Sequence, residues 1–324
     1  MNKAGSPAVF ALLVLVPAIG APSTSVAAEY PEKALTAIVP FAAGSSTDTM
    51  TRRISPLLSK ALGQQIIIEN KPGADGRIGI EALTKAASDG YAILFSGQAV
   101  ALAPALRRNV PWDPRQIQPV AELGQSPYVI AVNATVPAKS LMEFLNLVKK
   151  NPDKLNGSAG GNSTEMSIAL FRIKTGTRVT TVPYKGTGLA ATAVGSGEVD
   201  FAIMDASAWT AFLSSGRVRA LAVAGERRLS SLPNVPTAAE AGLPDFTVGT
   251  MFGVYTKAGS PSGAVQRLNA EINRIIVSPE VVKGLNQLGL EPIPKSVEAF
   301  TQQYVNDLAK WKDLVKRANI PMTD

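Results

Sequence analysis

The 324-residue chain contains no cysteine and no histidine, and these two absences remove much of the chemistry open to a protein of this size. Without a thiol there is no disulfide, no thiolate nucleophile and no lipid on a cleavage-site cysteine. Without an imidazole no side chain has an ordinary pKa near neutrality, so most hydrolytic triads are excluded. A Ser–Lys pair would remain, yet no serine stands three places before any lysine and no Gly-x-Ser-x-Gly elbow occurs. Zinc would have to be held by carboxylates alone, which is unusual. The expectation is no catalytic residue, no metal and no cofactor.

Long apolar runs are also lacking. Spanning a bilayer takes roughly 20 apolar residues, and the longest run, Val9 to Ile19, is shorter and broken by Pro17. With Lys3 before it and small residues ending near Ala27 or Ala28, it has the form of a cleavable export signal over residues 1–28, so a periplasmic location is expected. Removing 28 residues from 324 leaves 296, enough for two domains at roughly 100–200 residues each. Hydrophobic residues at 46% and charged residues at 18% describe a globular chain. The net charge of +7 is spread over separated pairs such as Arg52-Arg53, Arg107-Arg108 and Arg227-Arg228. No aromatics are interleaved with them, so no nucleic-acid stripe forms, and a weak attraction for anionic solutes is what remains.

What is present alternates. A strand "LTAIVPF" precedes a helix from Asp48 to about Leu62; then come the strand "QQIIIEN", the turn "KPGADGRIG", the helix "IEALTKAAS" and the strand "YAILFSG". This β-α-β-α-β order argues for a parallel α/β sheet with ligand loops at the carboxyl ends of its strands. A Pro-rich, non-periodic stretch, "RRNVPWDPRQIQPV", separates it from a second series that starts near Tyr128. That series includes a Ser140-initiated helix, "NGSAG", the helix opened by "NSTEMSIALFRIK", and the strands "VTTVPY", "VDFAIMD" and "RALAVAG". The strand "GTMFGVYTK" then leads to helices at 261–277, 279–288 and 296–318. Chain crossings near 126–132 and 246–254 suggest a domain inserted into another, a cleft between them and a two-segment hinge. The expected units are residues 29–128 with 251–324, and residues 129–250.

The turn "GADGRIG" invites a dinucleotide reading, but the fingerprint needs glycine where Ala74 stands, and no acidic residue closes the next strand. A structural turn with positive-φ glycines is expected instead. The loops "PFAAGSSTD" and "SAGGNSTE" differ, because each ends where a helix begins. There the first N–H groups lack intrahelical partners and the dipole places partial positive charge, so a carboxylate can be held without a cationic side chain. Gly44 lets the backbone approach a ligand; Ser45, Ser46 and Thr47 add hydroxyls; Asp48 is suited to cap the helix and orient the loop. In the second loop Ser158, Gly160, Gly161, Asn162, Ser163 and Thr164 correspond. Ordinary capping explains either loop alone; two loops, one in each half, point to a clamp for a small anion.

These stretches, with "LGQQIIIENKPGADGRIG", "VPYKGTG", "GEVDFAIMD" and "RVRALAVAGERRLSSLPNVPTAAEAGLP", resemble the Bug/TctC periplasmic solute receptors of tripartite tricarboxylate transporters across nearly all of the mature chain. The resemblance implies an α/β, two-lobed, type II-like Venus flytrap, each lobe a mixed sheet flanked by helices, closing over a small carboxylated or amino-acid-like solute. It implies a monomer that works with membrane transporter subunits. The ligand carboxylate would sit between Phe41 to Asp48, Ala43 included, and Ser158 to Glu165. Asp205 would meet an amino group or cap the helix after it. Ser96, Gly97, Tyr184 and Lys185 would line the cleft, and Trp209 would be a wall or, more simply, a core aromatic. Two departures from the family pattern stand out: "AAGSS" replaces Pro-Gly-Gly, and Glu165 replaces a histidine. The first shrinks the pocket. If Glu165 faces the cleft it disfavours a second ligand carboxylate, so a monocarboxylate or zwitterion is expected. An exported enzyme using Asp48, Glu165 or Asp205 on an acidic substrate, and a ligand sensor for a kinase, remain as alternatives.

Overall fold

The computed structural model describes residue 1, residues 30–287 and residues 289–322. The expected export segment lies outside the described residues except for Met1. In chain order the strands are β1 Leu35–Val39, β2 Ile66–Asn70, β3 Ala92–Gly97, β4 Ile117–Asn133, β5 Asn156–Ala159, β6 Thr180–Pro183, β7 Phe201–Asp205, β8 Val218–Ala224 and β9 Gly249–Lys257. The helices are α1 Ser46–Leu62, α2 Arg77–Lys85, α3 Ala99–Leu106, α4 Leu141–Lys150, α5 Asn162–Thr175, α6 Thr187–Ser196, α7 Ala206–Ser214, α8 Ser262–Ile276, α9 Pro279–Gln287 and α10 Val297–Arg317.

The strands form one mixed sheet in the order β2-β1-β3-β9-β4-β7-β5-β6, with β8 also on β4. The β-α-β start is parallel, β1 against β2 and β3; β9 then enters antiparallel to β3, so the all-parallel expectation gives way to a mixed sheet. Strand β4 joins the two sections. Its residues 117–127 pair with β9, and its residues 128–133 pair with β7 and β8. Register breaks at Pro119/Ala121 and Glu122/Gly124 bend this 17-residue strand, and the first of them adjoins Pro119, where a bulge accommodates the missing N–H.

Helices α1 and α8 pack on one face of the first section, through Met50, Ile54, Leu58, Leu268 and Ile272 against Ala37, Val39 and Ile93. Positions 50, 54, 58 and 62 repeat every four residues, so one stripe of α1 faces the sheet. On the other face Ile38 and Leu94 share a core with Ile80, Leu83 and the α10 residues Phe300, Tyr304 and Trp311. In the second section Phe144, Phe171, Phe201 and Phe246 pack with ring centroids 5.2–6.1 Å apart. Helix α3 has no counterpart in the sequence reading: "AVALAPAL" is apolar on all sides and holds Pro104, so it lacks the polar face that reveals a surface helix.

Candidate functional site

The first loop is built around Asp48. Ser45, not Asp48, caps α1, its hydroxyl accepting from Asp48 N at 3.2 Å. The Asp48 carboxylate turns back: Oδ2 accepts from Gly44 N and from Arg52 Nε, each at 2.9 Å, and Oδ1 accepts from Asn70 Nδ2 at 2.9 Å. Asn70 also donates to Phe41 O at 3.1 Å. The loop from residue 41 to 48 is thereby tied to the end of β2. The Arg52 hydrogen bond, with those of Gly44 and Asn70, pulls the Asp48 carboxyl down to about 2 against the opposing effect of burial. Its acceptor capacity serves the loop.

At the start of α5 the corresponding work falls to Thr164. Its hydroxyl accepts from Gly160 N and donates to Gly161 O, both at 2.8 Å, and the residue is 2% exposed. Ser158 is fully buried and donates to Ala190 O at 2.8 Å. Gly160 answers to packing, since a Cβ there would stand 2.4 Å from Thr187 N. Asn162 and Ser163 are what the helix start presents outward.

Both helix starts open into one cavity of about 430 Å³. From the first loop it is lined by Phe41, Ser45, Ser46 and Thr47, and from the second by Gly161, Asn162 and Ser163. A third helix start joins them, Gly97, Gln98 and Ala99 where β3 meets α3, with Thr250 and Phe252 of β9 alongside. The sheet order accounts for the first-section side of this meeting: β1, β3 and β9 are neighbours, so the starts of α1 and α3 and the start of β9 lie together. Gln98 donates to Gly249 O at 2.9 Å, and the Tyr128 hydroxyl lies 3.1 Å from Thr250 Oγ1. Partial positive charge from three helix ends favours an anion here.

Several expected site residues do not line this cavity. Ala43 and Gly44 are exposed, and Asp48, Ser158, Gly160 and Thr164 support the backbone as described. Ser96 is fully buried and its hydroxyl has no partner. Glu165 is exposed one turn into α5 and is not among the residues lining the cavity. Tyr184 points to Glu198, its hydroxyl donating to Oε1 at 2.8 Å, and Lys185 is exposed. Asp205 occupies the cap position of α7 without capping it through its side chain. Burial raises the Asp205 carboxyl, and the Thr250 and Ser126 hydroxyls beside it partly oppose that. Trp209 is a fully buried core residue.

Cationic side chains that the sequence did not point to line the cavity. Arg77 and Arg107 line the cavity with Asp75, and Arg107 Nη2 pairs with Asp75 Oδ2 at 2.8 Å. The turn read as structural has the expected positive-φ glycines, Gly73 at 128° and Gly76 at 90°, and it also delivers two wall residues. Leu102, Ala103 and Leu106 of α3 complete the wall. An apolar run followed by Arg107-Arg108 was the only local signal for them. A second cavity of about 320 Å³ shares Gln98 and Thr250 with the first, but its remaining walls are strand ends, loops and the middle of α10, with Asp307 and Lys310 among them.

Known proteins place this architecture. The sequence matches the tripartite tricarboxylate transporter family receptor profile over residues 50–320. A UPF0065 protein encoded in the tcbD–tcbE intergenic region of Pseudomonas sp. strain P51 is 34% identical over 290 residues, 88% of this chain and 86% of its own length. Protein BugT of Bordetella pertussis is 30% identical over 321 residues, 98% of each chain. Among solved structures, a TctC solute-binding protein from Polaromonas without ligand has a TM-score of 0.81 at 27% identity, over 89% of this chain and 99% of that one. A Rhodopseudomonas palustris protein solved with adipate has a TM-score of 0.74 at 28% identity, over 90% and 99%. MatC of the same organism, with bound malate, has 0.70 at 32% identity, over 88% and 100%. The chain belongs to the tripartite tricarboxylate transporter receptor family, the Bug/TctC type of periplasmic solute-binding protein.

Proposed function

We propose that the cavity at the starts of α1, α3 and α5 receives the carboxylate of a small organic acid in the periplasm, and that the receptor hands this solute to a tripartite tricarboxylate-type transporter. The observation that carries the reading is the convergence of Ser45–Thr47 and Gly161–Ser163 on one cavity from the two sheet sections. In this reading residues 29–128 with 251–324 form one lobe, residues 129–250 form the other, and β4 and the segment entering β9 are the hinge. The adipate and malate carried by two related structures are acids of this kind.

Magnitudes favour a clamp over either loop alone. A hydrogen bond to a charged group contributes about 1.5–3 kcal/mol, and micromolar affinity needs about 8 kcal/mol beyond the cost of ordering the partners. Several donors from both sides are required. Catalysis is disfavoured by the same geometry: Asp48, held near 2 by its three donors, is a poor base, and Glu165 stands outside the cavity.

A ligand that binds the folded form raises its stability by mass action. Thermal denaturation in the presence of millimolar mono-, di- and tricarboxylates and amino acids should show a rise for a subset of carboxylates. Ser163→Trp should abolish that rise while leaving the unliganded melting temperature near that of the wild type. A flat response to every carboxylate sinks the reading.

A further inference from the structure

The second cavity, of about 320 Å³, takes a wall from each sheet section: α10 supplies Lys310 and Trp311, and the segments around Gly225 and Thr247 complete it. Successive residues of a strand point to opposite faces, and on β9 Met251 lines this second cavity while Phe252 lines the first. The two cavities therefore flank β9. Gln98 and Thr250 border both, which puts them beside the pivot, and a rotation about the strands that narrows one cavity widens the other.

Two hydrogen bonds join the sections on this side of β9. Lys310 Nζ donates to Thr247 O at 3.1 Å, and Ser230 N donates to Glu291 Oε1 at 3.3 Å. Both run from the stretch 251–324 to the stretch 129–250, and each ends on fixed ground. Glu291 is tied to β4, its N–H donating to Gln125 O at 2.8 Å and its carbonyl accepting from Gln125 N at 3.0 Å. Thr247 precedes Val248, whose N–H donates to Ala224 O at 3.0 Å and whose carbonyl accepts from Tyr128 N at 2.9 Å. The Lys310 ammonium stands 5.2 Å from the centre of the Trp311 ring, and that ring is packed in the core.

The first cavity must narrow to grip a small solute. A solute of about ten non-hydrogen atoms, each taking less than the roughly 30 Å³ of a water, fills under about 300 Å³, whereas this cavity measures about 430 Å³. Donors on both of its sides reach such a solute only after the sections rotate, and that rotation draws Thr247 from Lys310 and Ser230 from Glu291. We propose that Lys310 and Glu291 form a latch on the far side of β9 that opposes closure and sets how tightly the receptor holds its solute. The proposal rests on the solute site and the lobes read above. Apparent affinity is scaled by the fraction of molecules in the binding-competent arrangement, so a bond that breaks on closure weakens binding by the factor by which it favours the wider cavity. Lys310 and Glu291 are positioning residues that act through the lobes and line no part of the first cavity.

Because the chain has no cysteine, an introduced pair can be spin-labelled cleanly. Gly263 on α8 and Gly188 on α6 are exposed, and a Cβ at either meets nothing within 4 Å, so nitroxides at Gly263→Cys and Gly188→Cys report the separation of the lobes by double electron–electron resonance. Without solute, Lys310→Met and Glu291→Ala should each shift the distance distribution, and Lys310→Arg, which keeps the donor, should restore it. Pentanoate, butanedioate and citrate serve as calorimetric probes. Any of them that binds the wild type should bind Lys310→Met about 3–10-fold more tightly, the factor expected from one charge-assisted hydrogen bond removed from the competing arrangement, and Glu291→Ala more tightly by a smaller factor. Damage to the fold lowers affinity, so a gain separates a latch from general structural support. Distances unchanged in both variants, or weaker binding in both, overturn the latch and leave the solute site standing. If none of the three acids binds, the solute reading fails and the solute-free distances alone decide the latch.

Discussion

Asp48 and Asp205 follow strands in the two sheet sections, and their surroundings drive them in opposite directions. Arg52, Gly44 and Asn70 lower the Asp48 carboxyl to about 2, so its ionised form stabilises the fold above the ordinary carboxyl pKa and the contribution is lost as pH falls through about 2. Burial raises Asp205, so its cost is absent below the ordinary carboxyl pKa and is present in full above the raised one. Thermal melts from pH 7 down to pH 3 should separate the two. Asp48→Ala should lower the melting temperature by several degrees at pH 7, as expected for losing about 2 kcal/mol of charged hydrogen bonding, and the deficit should narrow toward pH 3. Asp205→Asn should raise it by roughly 2–4 °C at pH 7, the response to about 1 kcal/mol, with the gain fading as pH falls. The same sign for both variants at pH 7 would contradict these environments. The residue types of both loops were legible in the sequence, but their orientations were not. Thr164 and Ser158 have the hydroxyls of a ligand site and spend them on Gly161 and Ala190.

At the scale of the element, the amphipathic helices were readable and the apolar one was not. Helices α1, α4, α8 and α10 carry a buried stripe and a polar face, and their caps Ser140 and Ser296 accept from the backbone three residues on. Helix α3 carries no such contrast, and with it went Leu102, Leu106 and Arg107 of the cavity wall. The join between β1 and α2 is equally decisive for the site. A Cβ on Gly79 would lie 2.6 Å from Pro40 Cβ and 2.7 Å from Pro40 Cα, so α2 sits directly on the residue that opens the first ligand loop. Gly79→Val should destabilise the protein by about 1–3 kcal/mol, the usual cost of overpacking. Gly263→Ala on the exposed face of α8, where a Cβ meets nothing within 4 Å, should change stability little. Urea denaturation of both variants provides the check; equal midpoints would mean that α2 tolerates a displaced Pro40.

For the whole molecule, β4 and α10 decide how the two sheet sections are coupled. Strand β4 runs through both, and α10 touches α3 of the first section and α5 of the second. Phe300 lies 5.4 Å from the Tyr255 ring, while Leu314 and Val315 belong to the same core as Phe171 and Phe246. If the sections act as lobes closing on a solute, the radius of gyration in solution should fall on ligand addition, from an open value toward about 19 Å, the expectation for a compact chain of 296 residues. Small-angle scattering with and without a stabilising carboxylate measures it; an unchanged radius would mean that the solute enters a preformed cavity without closure. No described helix is long and apolar enough to cross a membrane.

The sequence alone determined what depends on neighbours along the chain. The strand and helix order, the small-residue loops at the starts of α1 and α5, the glycine-shaped turn after β2 and the absence of imidazole and thiol chemistry all follow from local periodicity and residue type. Tertiary structure decided which of those local features meet. Sheet order set β1 and β3 side by side, which brought the starts of α1 and α3 together, and the second section presents the start of α5 to the same cavity. An ion pair between positions 75 and 107 spans 32 residues of chain, and no periodicity encodes it. Such contacts arise only when a strand order and a turn bring distant side chains within a hydrogen bond of one another.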